Sequence, residues 1–351
     1  MMNWRRTLKR GVNWNQAAQN DYFSFEENKN MASQEKQRPL RVFVWAVPRT
    51  NSTVFTKCMS FVDKVEVWME PYMACNMNDT FYNPEWGKGV PAIEKFRTTM
   101  KAFMDKPENQ ELMKQELEKV EKYPNVWPQE QFRIYITECT KDTFLFESSE
   151  FILFGLIKDQ SCAIYDHMEY LPDVPTRHVF LIRHPRNVYP SLKHLFTNKF
   201  LQLPWDETNL IEEYRSLPVK DHFKIHRDLW KKIKNKMDPD VIVIDGHDLV
   251  SRPEVILPKF FTELGIPYKE SYLKWEADPE LVYSSWRGTG LFVFTSSKTV
   301  ATSRAVESTH FVPPKVPRGS FTADWKLTDE LQECIDYSMP FYEEMYEQRF
   351  Q

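Results

Sequence analysis

Arg41–Phe61, RVFVWAVPRTNSTVFTKCMSF, restricts the possible folds of this chain more than any other stretch. Arg41–Val47 is a run of β-branched and aromatic residues, the pattern of a buried strand. Pro48 ends it, and Thr50, Asn51, Ser52 and Thr53 are residue types that start helices. Val54, Phe55, Cys58, Met59 and Val62 then recur at helical spacing. A strand leading through a polar turn into a helix makes an anion site, because the first helical N–H groups are unpaired and the dipole favours negative charge. Arg49 adds a fixed positive charge, and Ser52 and Thr53 add hydroxyl donors. On this stretch alone, an ordinary strand–loop–helix connection fits equally well.

The turn is not a nucleotide-triphosphate loop. Such a loop needs G-x-x-x-x-G-K-[ST]. Here there is no glycine and no Lys followed by Ser or Thr to hold a phosphate and a magnesium ion. The expectation is an anion cradle that works without a metal. No cluster of His and Cys in the sequence reads as a complete ligand set, so no metal is expected.

With 351 residues, the chain is long enough for one large α/β domain or two smaller ones. A net charge of −4 and a pI of about 6.1 argue against nucleic acid as a partner, since phosphate backbones need a basic surface. Five cysteines without C-x-x-C spacing read as reduced thiols in a cytoplasmic protein. No window carries the roughly 18 consecutive apolar residues of a membrane span. The basic start MMNWRRTLKRGVNWNQ lacks an apolar h-region and does not read as a secretory signal. Being Arg-rich and acid-poor up to Asn20, it leaves an organelle transit peptide open.

Along the chain, residues 1–38 are polar and aperiodic and read as a flexible arm, with one α/β domain over 39–351. Strands are expected at Arg41–Val47, Val65–Met69, Arg133–Thr137, Phe151–Ile157, Arg177–Arg183 and Val241–Asp245. Helices are expected within Ala92–Lys122 and at Tyr165–Tyr170, Val188–Phe196, Asp221–Lys236, Arg252–Leu264 and Leu327–Gln348. Tyr72–Gly89 and the Ser/Thr-rich Asp278–Pro317 read as loops. Strands alternating with helices predict a parallel sheet covered on both faces, with ligands at the carboxyl ends of the strands. Arg49, Glu70, Lys158 and Arg183 each sit at or just past a strand end, so all four can converge on one crevice.

Three stretches together resemble the sulfotransferases that use 3′-phosphoadenosine 5′-phosphosulfate (PAPS). Pro48-Arg49-Thr50-Asn51-Ser52-Thr53 is similar to the family's 5′-phosphosulfate loop, usually P-K-S-G-T-T. In Arg183-His184-Pro185-Arg186-Asn187-Val188-Tyr189-Pro190-Ser191, Arg183 and Ser191 have the spacing of the Arg and Ser that hold the 3′-phosphate in the family. Val241–Leu264 resembles the segment that follows the nucleotide site. Arg318-Gly319-Ser320-Phe321-Thr322-Ala323-Asp324-Trp325-Lys326 is similar to a basic loop that closes over the 3′-phosphate. The Trp68–Pro71 and Lys158-Asp159 pieces look like a divergent branch often labelled aminotransferase-like. The resemblance implies a P-loop-type three-layer α/β sandwich with a central, mainly parallel sheet, PAPS as co-substrate and a small-molecule hydroxyl or amine as acceptor. The oligomeric state stays open, a homodimer among the options.

Departures from the family pattern bear on the chemistry. Arg49 replaces the usual Lys, and Asn51 replaces the Gly. Asn tolerates a left-handed backbone better than most residues. Val54 stands where many members have an adenine-stacking Trp; Trp286 is the alternative stacking face, with core packing as the competing reading. Lys158-Asp159-Gln160 stands where the family commonly has Lys-Thr-His. Glutamine cannot take a proton at neutral pH, so the usual base is absent. Some branches of the family use a Glu at the position of Glu70, which makes it the expected base, with Lys158 and Arg49 assisting at the reacting group. Asp159 is the runner-up base, and His167, His184 and His194 are weaker candidates. A phosphotransferase using a nucleotide triphosphate, or a nucleotide-binding protein without catalysis, are the alternatives.

Overall fold

In a computed structural model, residues 40–74, 154–172, 175–195, 219–278, 281–289, 304–320 and 326–351 are described, with short pieces between 98 and 127 and between 197 and 213. The expected arm over 1–38, the Arg133–Thr137 strand, and most of the Tyr72–Gly89 loop and the Ala92–Lys122 helices lie outside the described residues.

Seven strands form one sheet: β1 (Leu40–Ala46), β2 (Val65–Met69), β3 (Val126–Trp127), β4 (Phe154–Gln160), β5 (Arg177–Ile182), β6 (Ile242–Asp245) and β7 (Trp286–Thr289). Their order is β3-β7-β2-β4-β1-β5-β6, and every ladder is parallel. The described helices are α1 (Ser52–Met59), α2 (Ser161–Ile164), α3 (Pro185–His194), α4 (Leu210–Glu213), α5 (His222–Lys236), α6 (Gly246–Ser251), α7 (Pro253–Glu263), α8 (Leu281–Ser284) and α9 (Asp329–Glu347). The crossover from β1 to β2 runs one way along the sheet and that from β5 to β6 the other. Right-handed crossovers therefore put α1 on one face and α3 and α5 on the opposite face. This is the α/β class expected from the alternating pattern.

The strands form where apolar residues run without interruption. Arg41–Ala46 in β1 is buried throughout, because β1 lies at the centre of the sheet between β4 and β5. Strand β4 departs from expectation. It runs three residues past Ile157, because Lys158, Asp159 and Gln160 stay paired with Val44, Trp45 and Ala46. Helix α3 begins at Pro185, ahead of the expected Val188, since a proline at the first turn loses no hydrogen bond there. The expected Tyr165–Tyr170 helix is replaced by α2 and a single 3-10 turn at Met168–Tyr170.

The largest correction falls in Asp278–Pro317, read as loops from its Ser/Thr content. It supplies α8 and β7, and β7 pairs with β2 through Val67 to Trp286 and Trp68 to Arg287. Four residues, one of them glycine, are too short a run to show a strand period in the sequence.

Candidate functional site

The chain switches direction across the sheet at β1, which in a doubly wound fold is where a ligand crevice opens beyond the carboxyl ends of the strands. Along that edge, on successive neighbours β2, β4, β1 and β5, lie Glu70, Lys158, Arg49 and Arg183. The structure gathers them into two groups, Glu70 with Lys158 and Arg49 with Arg183 and Ser191.

At the β1–β5 corner the Arg183 Nη1 donates to the Arg49 carbonyl at 2.9 Å. The Arg49 Nε donates to the Ser191 hydroxyl at 3.0 Å. The two strand-to-helix turns, 134 residues apart in the chain, are thus in direct contact. Backbone geometry makes this possible. Arg49 and Asn51 both have left-handed φ angles, 70° and 67°. The Asn51 side chain donates to the Gly246 carbonyl at 2.9 Å. A Cβ on Gly246 would lie 2.3 Å from the Thr50 carbonyl oxygen, so only glycine lets the start of α6 pack against this turn. The buried Thr50 hydroxyl donates to the Val47 carbonyl at 2.8 Å and braces the turn from within. Ser52 and Thr53 open α1, whose first N–H groups have no helical acceptor.

This corner is cationic. Burial, then Arg183 and Arg304, pull the Arg49 guanidinium down to about 10. Burial also lowers Arg183, with Asp245 opposing it. Arg304 was missed in the sequence because it sits in the stretch read as loops. It begins a short helical turn whose Val306 and Ser308 carbonyls accept from the buried Lys57 ammonium of α1 at 2.6 and 2.8 Å. A lysine set between Phe55 and the apolar pair Cys58 and Met59 was the available signal for this tether.

At the β2–β4 corner the Lys158 ammonium pairs with Glu70 Oε1, with the Lys158 and Glu70 side chains only 4% and 10% exposed. Gln160 Nε2 donates to the other Glu70 oxygen at 3.3 Å. Asp159 is fully buried and accepts the Tyr72, Met73 and Gln160 N–H groups at 2.5, 3.2 and 2.7 Å. Burial and the adjacent Glu70 push Asp159 up to about 8, against those N–H donors. With its oxygens committed to these donors and no exposure, Asp159 braces the turn that follows β2.

Two expected nucleotide contacts are placed elsewhere. Trp286 is 1% exposed and its indole N–H donates to Ser60 at 2.7 Å, so it packs in the core and presents no open stacking face. The short run around it extends the sheet, and that burial decides the matter. Arg318 pairs with Asp248 and Tyr346 and lies 3.5 Å from Asp245. Its backbone neighbours do reach the β5–α3 turn. Gly319 N–H donates to Asn187 Oδ1 at 3.0 Å, and Asn187 Nδ2 donates to the Ser320 carbonyl at 2.8 Å. Gly319 has a φ of 74°, and a Cβ there would lie 2.9 Å from His184 Nε2. Burial, then Arg186 and Arg318, lower His184 to about 4, so it is neutral at pH 7. Asp245, His247 and Asp248 bring ligand atoms within 4.8 Å of one another, but Arg318 and Arg349 occupy the Asp248 oxygens, and two N–H groups and the Tyr342 hydroxyl occupy those of Asp245.

The fold and these corners define a parallel α/β protein with a cationic site at the switch point of its sheet. No family model matches the chain. Among curated proteins, it is 30% identical over 103 residues to branched-chain-amino-acid aminotransferase-like protein 2 of Arabidopsis thaliana, covering 29% of this chain and 15% of that protein. It is 30% identical over 113 residues to branched-chain-amino-acid aminotransferase-like protein 1 of the same organism, covering 31% and 17%. The similarity therefore spans less than a fifth of either relative. Among solved structures, the sulfotransferase domain from the curacin biosynthetic pathway aligns with a TM-score of 0.39 at 15% identity, over 86% of this chain and 97% of that one. The sulfotransferase domain from the Synechococcus PCC 7002 olefin synthase aligns with a TM-score of 0.41 at 15% identity, over 89% and 98%. Among the described residues, no helix is long and apolar enough to cross a membrane.

Proposed function

We propose that the protein is a sulfotransferase that moves a sulfuryl group from PAPS to a hydroxyl or amine of a small-molecule acceptor. The observation that carries this reading is the joining of Arg49, Arg183 and Ser191 at one corner. In the sequence they belong to two stretches that each resemble a phosphate-binding motif. A nucleotide with anionic groups at both ends suits such a joined pair of turns, and guanidinium forks match phosphate oxygens in geometry as well as charge.

In this reading Arg49 and the first N–H groups of α1 stabilise the 5′-phosphate as it leaves. Arg183 and Ser191 hold the 3′-phosphate, with the Gly319 turn beside them. The acceptor oxygen or nitrogen attacks sulfur, the bond from sulfur to the 5′-phosphate oxygen breaks, and Glu70 takes the acceptor proton. Lys158 would then turn from Glu70 toward the transferring group. A second reading, nucleotide binding without catalysis, is favoured by one observation: both Glu70 oxygens are already engaged.

Calorimetry with 3′-phosphoadenosine 5′-phosphate and with ATP tests the ligand. Binding of the bisphosphate without magnesium is expected; binding of ATP alone, dependent on magnesium, would overturn the proposal in favour of a phosphotransferase. An acceptor screen with labelled PAPS then tests catalysis. Loss of transfer in Glu70→Gln with nucleotide affinity retained supports the base, and full transfer in that variant removes Glu70 from the role.

A further inference from the structure

We infer that Asp159 and Gln160, together with Lys158, are positioning residues that hold the Glu70 carboxylate in one orientation. The inference explains why Lys-Asp-Gln stands at the end of β4. Its kinetic arm rests on the function proposed above; its structural arm does not.

Glu70 has a φ of 51°, a left-handed conformation that a non-glycine residue adopts only when its surroundings over-determine it. The surroundings here come from three consecutive residues of one strand. Every backbone N–H from Glu70 to Ala74 has a partner. Glu70 N–H donates to the Lys158 carbonyl at 2.6 Å, and Pro71 has no N–H to place. Tyr72 and Met73 N–H donate to the Asp159 carboxylate, and Ala74 N–H returns to the Glu70 carbonyl at 2.9 Å. The left-handed turn is therefore fixed by Asp159 from one side and by the β4 backbone from the other.

The side chain is fixed by the remaining two residues. Alternate residues of a strand share a face, so Lys158 and Gln160 point together while Asp159 points away. Lys158 takes one Glu70 oxygen and Gln160 the other. Among the described residues, the charged and titratable groups beside this carboxylate include Lys158, Asp159 and the half-buried Cys162. A histidine at position 160 would supply a base of its own. Glutamine cannot, but its amide orients a carboxylate supplied by the neighbouring strand.

Two substitutions separate positioning from simple packing. Gln160→Glu keeps the shape but sets a second carboxylate against Glu70, which disfavours the ionised form. Gln160→Met removes the amide and keeps the length. The Glu70 carboxyl is followed by carbon-13 NMR in wild type and both variants, with Glu70→Gln for assignment. In Gln160→Glu its titration is expected to move to higher pH, and in Gln160→Met by less. Titration unchanged from wild type in both variants would overturn the inference.

In transfer assays with PAPS, Gln160→Met is expected to lower kcat by roughly tenfold, part of the 10²–10⁴ that a general base contributes, with the donor KM unchanged. Gln160→Glu should raise the acid limb of the pH profile. A loss carried by donor KM, with kcat intact, would also overturn the inference. Failure of wild type to bind 3′-phosphoadenosine 5′-phosphate would instead defeat the proposed function, and the NMR titration would still decide the positioning role.

Discussion

The two sides of the carboxyl edge are electrostatic opposites. Around β2 and β4, the Glu70 carboxylate and the Lys158 ammonium neutralise each other, and Gln160 completes the shell. Around β1 and β5, Arg183 and Arg304 bear on Arg49 as like charges, and Asp245 only partly offsets the effect of burial on Arg183. A closed pair is complete without a ligand. Crowded cations are costly when the site is empty, and an anion arriving there relieves that cost. The contrast sets a cationic corner on the β1–β5 side against a neutralised pair on the β2–β4 side.

The largest expected effect breaks the closed side. Lys158→Met leaves the Glu70 charge with an amide in place of its cation, and removing one partner of a buried pair costs about 3–5 kcal/mol. Urea unfolding measures it. A loss below about 1 kcal/mol would show that the pair does not carry this corner.

Arg183→Ala tests the open side. Losing a hydrogen bond to a charged group costs about 1.5–3 kcal/mol, so affinity for 3′-phosphoadenosine 5′-phosphate should fall roughly tenfold to a hundredfold by calorimetry. Fold stability should change much less, because relief of like-charge repulsion on Arg49 offsets the lost bond to its carbonyl. Unchanged nucleotide affinity would place the phosphate site elsewhere.

Asp159 supplies a test in pH. Its carboxyl is raised from 3.8 to about 8 on folding, so between those values the folded state binds more protons than the unfolded one. Stability from this group is fully present below about 4 and is lost as the pH rises through about 8. Urea midpoints at pH 5 and pH 9 for wild type and Asp159→Asn should show wild type losing ground to the variant at the higher pH. The opposite trend would mean that the three N–H donors outweigh burial.

The smallest effect sharpens the cradle. Asn51→Gly loses the bond to the Gly246 carbonyl, about 1 kcal/mol, but removes the strain of a φ of 67°, so thermal unfolding should show a net loss of about 0.5 kcal/mol. A loss of several kcal/mol would identify Asn51 as an essential brace between the turn and α6.

Much of the organisation was legible from residue types and spacing. β2 was located to the residue, and β1, β5 and β6 within a residue at either end, because buried parallel strands are continuous apolar runs. The left-handed turn at Asn51 was legible from the residue type, since Asn tolerates that conformation better than most. β7 was not legible, since its four residues acquire a strand's character only by pairing with β2. Arg304 was not legible either, since its place beside Arg49 depends on a lysine bond from α1 to a turn some 250 residues later.

By itself, the sequence determined the alternation of strands and helices, the carboxyl edge as the place for charged residues, and the absence of a triphosphate loop. These follow from local periodicity and residue chemistry. Tertiary structure alone decided which charges meet. It joined Arg49 to Arg183 and Ser191, closed Glu70 onto Lys158 and Gln160, turned Arg318 toward Asp248, and buried Trp286. The physical reason is that strand order and register set these neighbours, and both arise from packing between segments far apart in the chain.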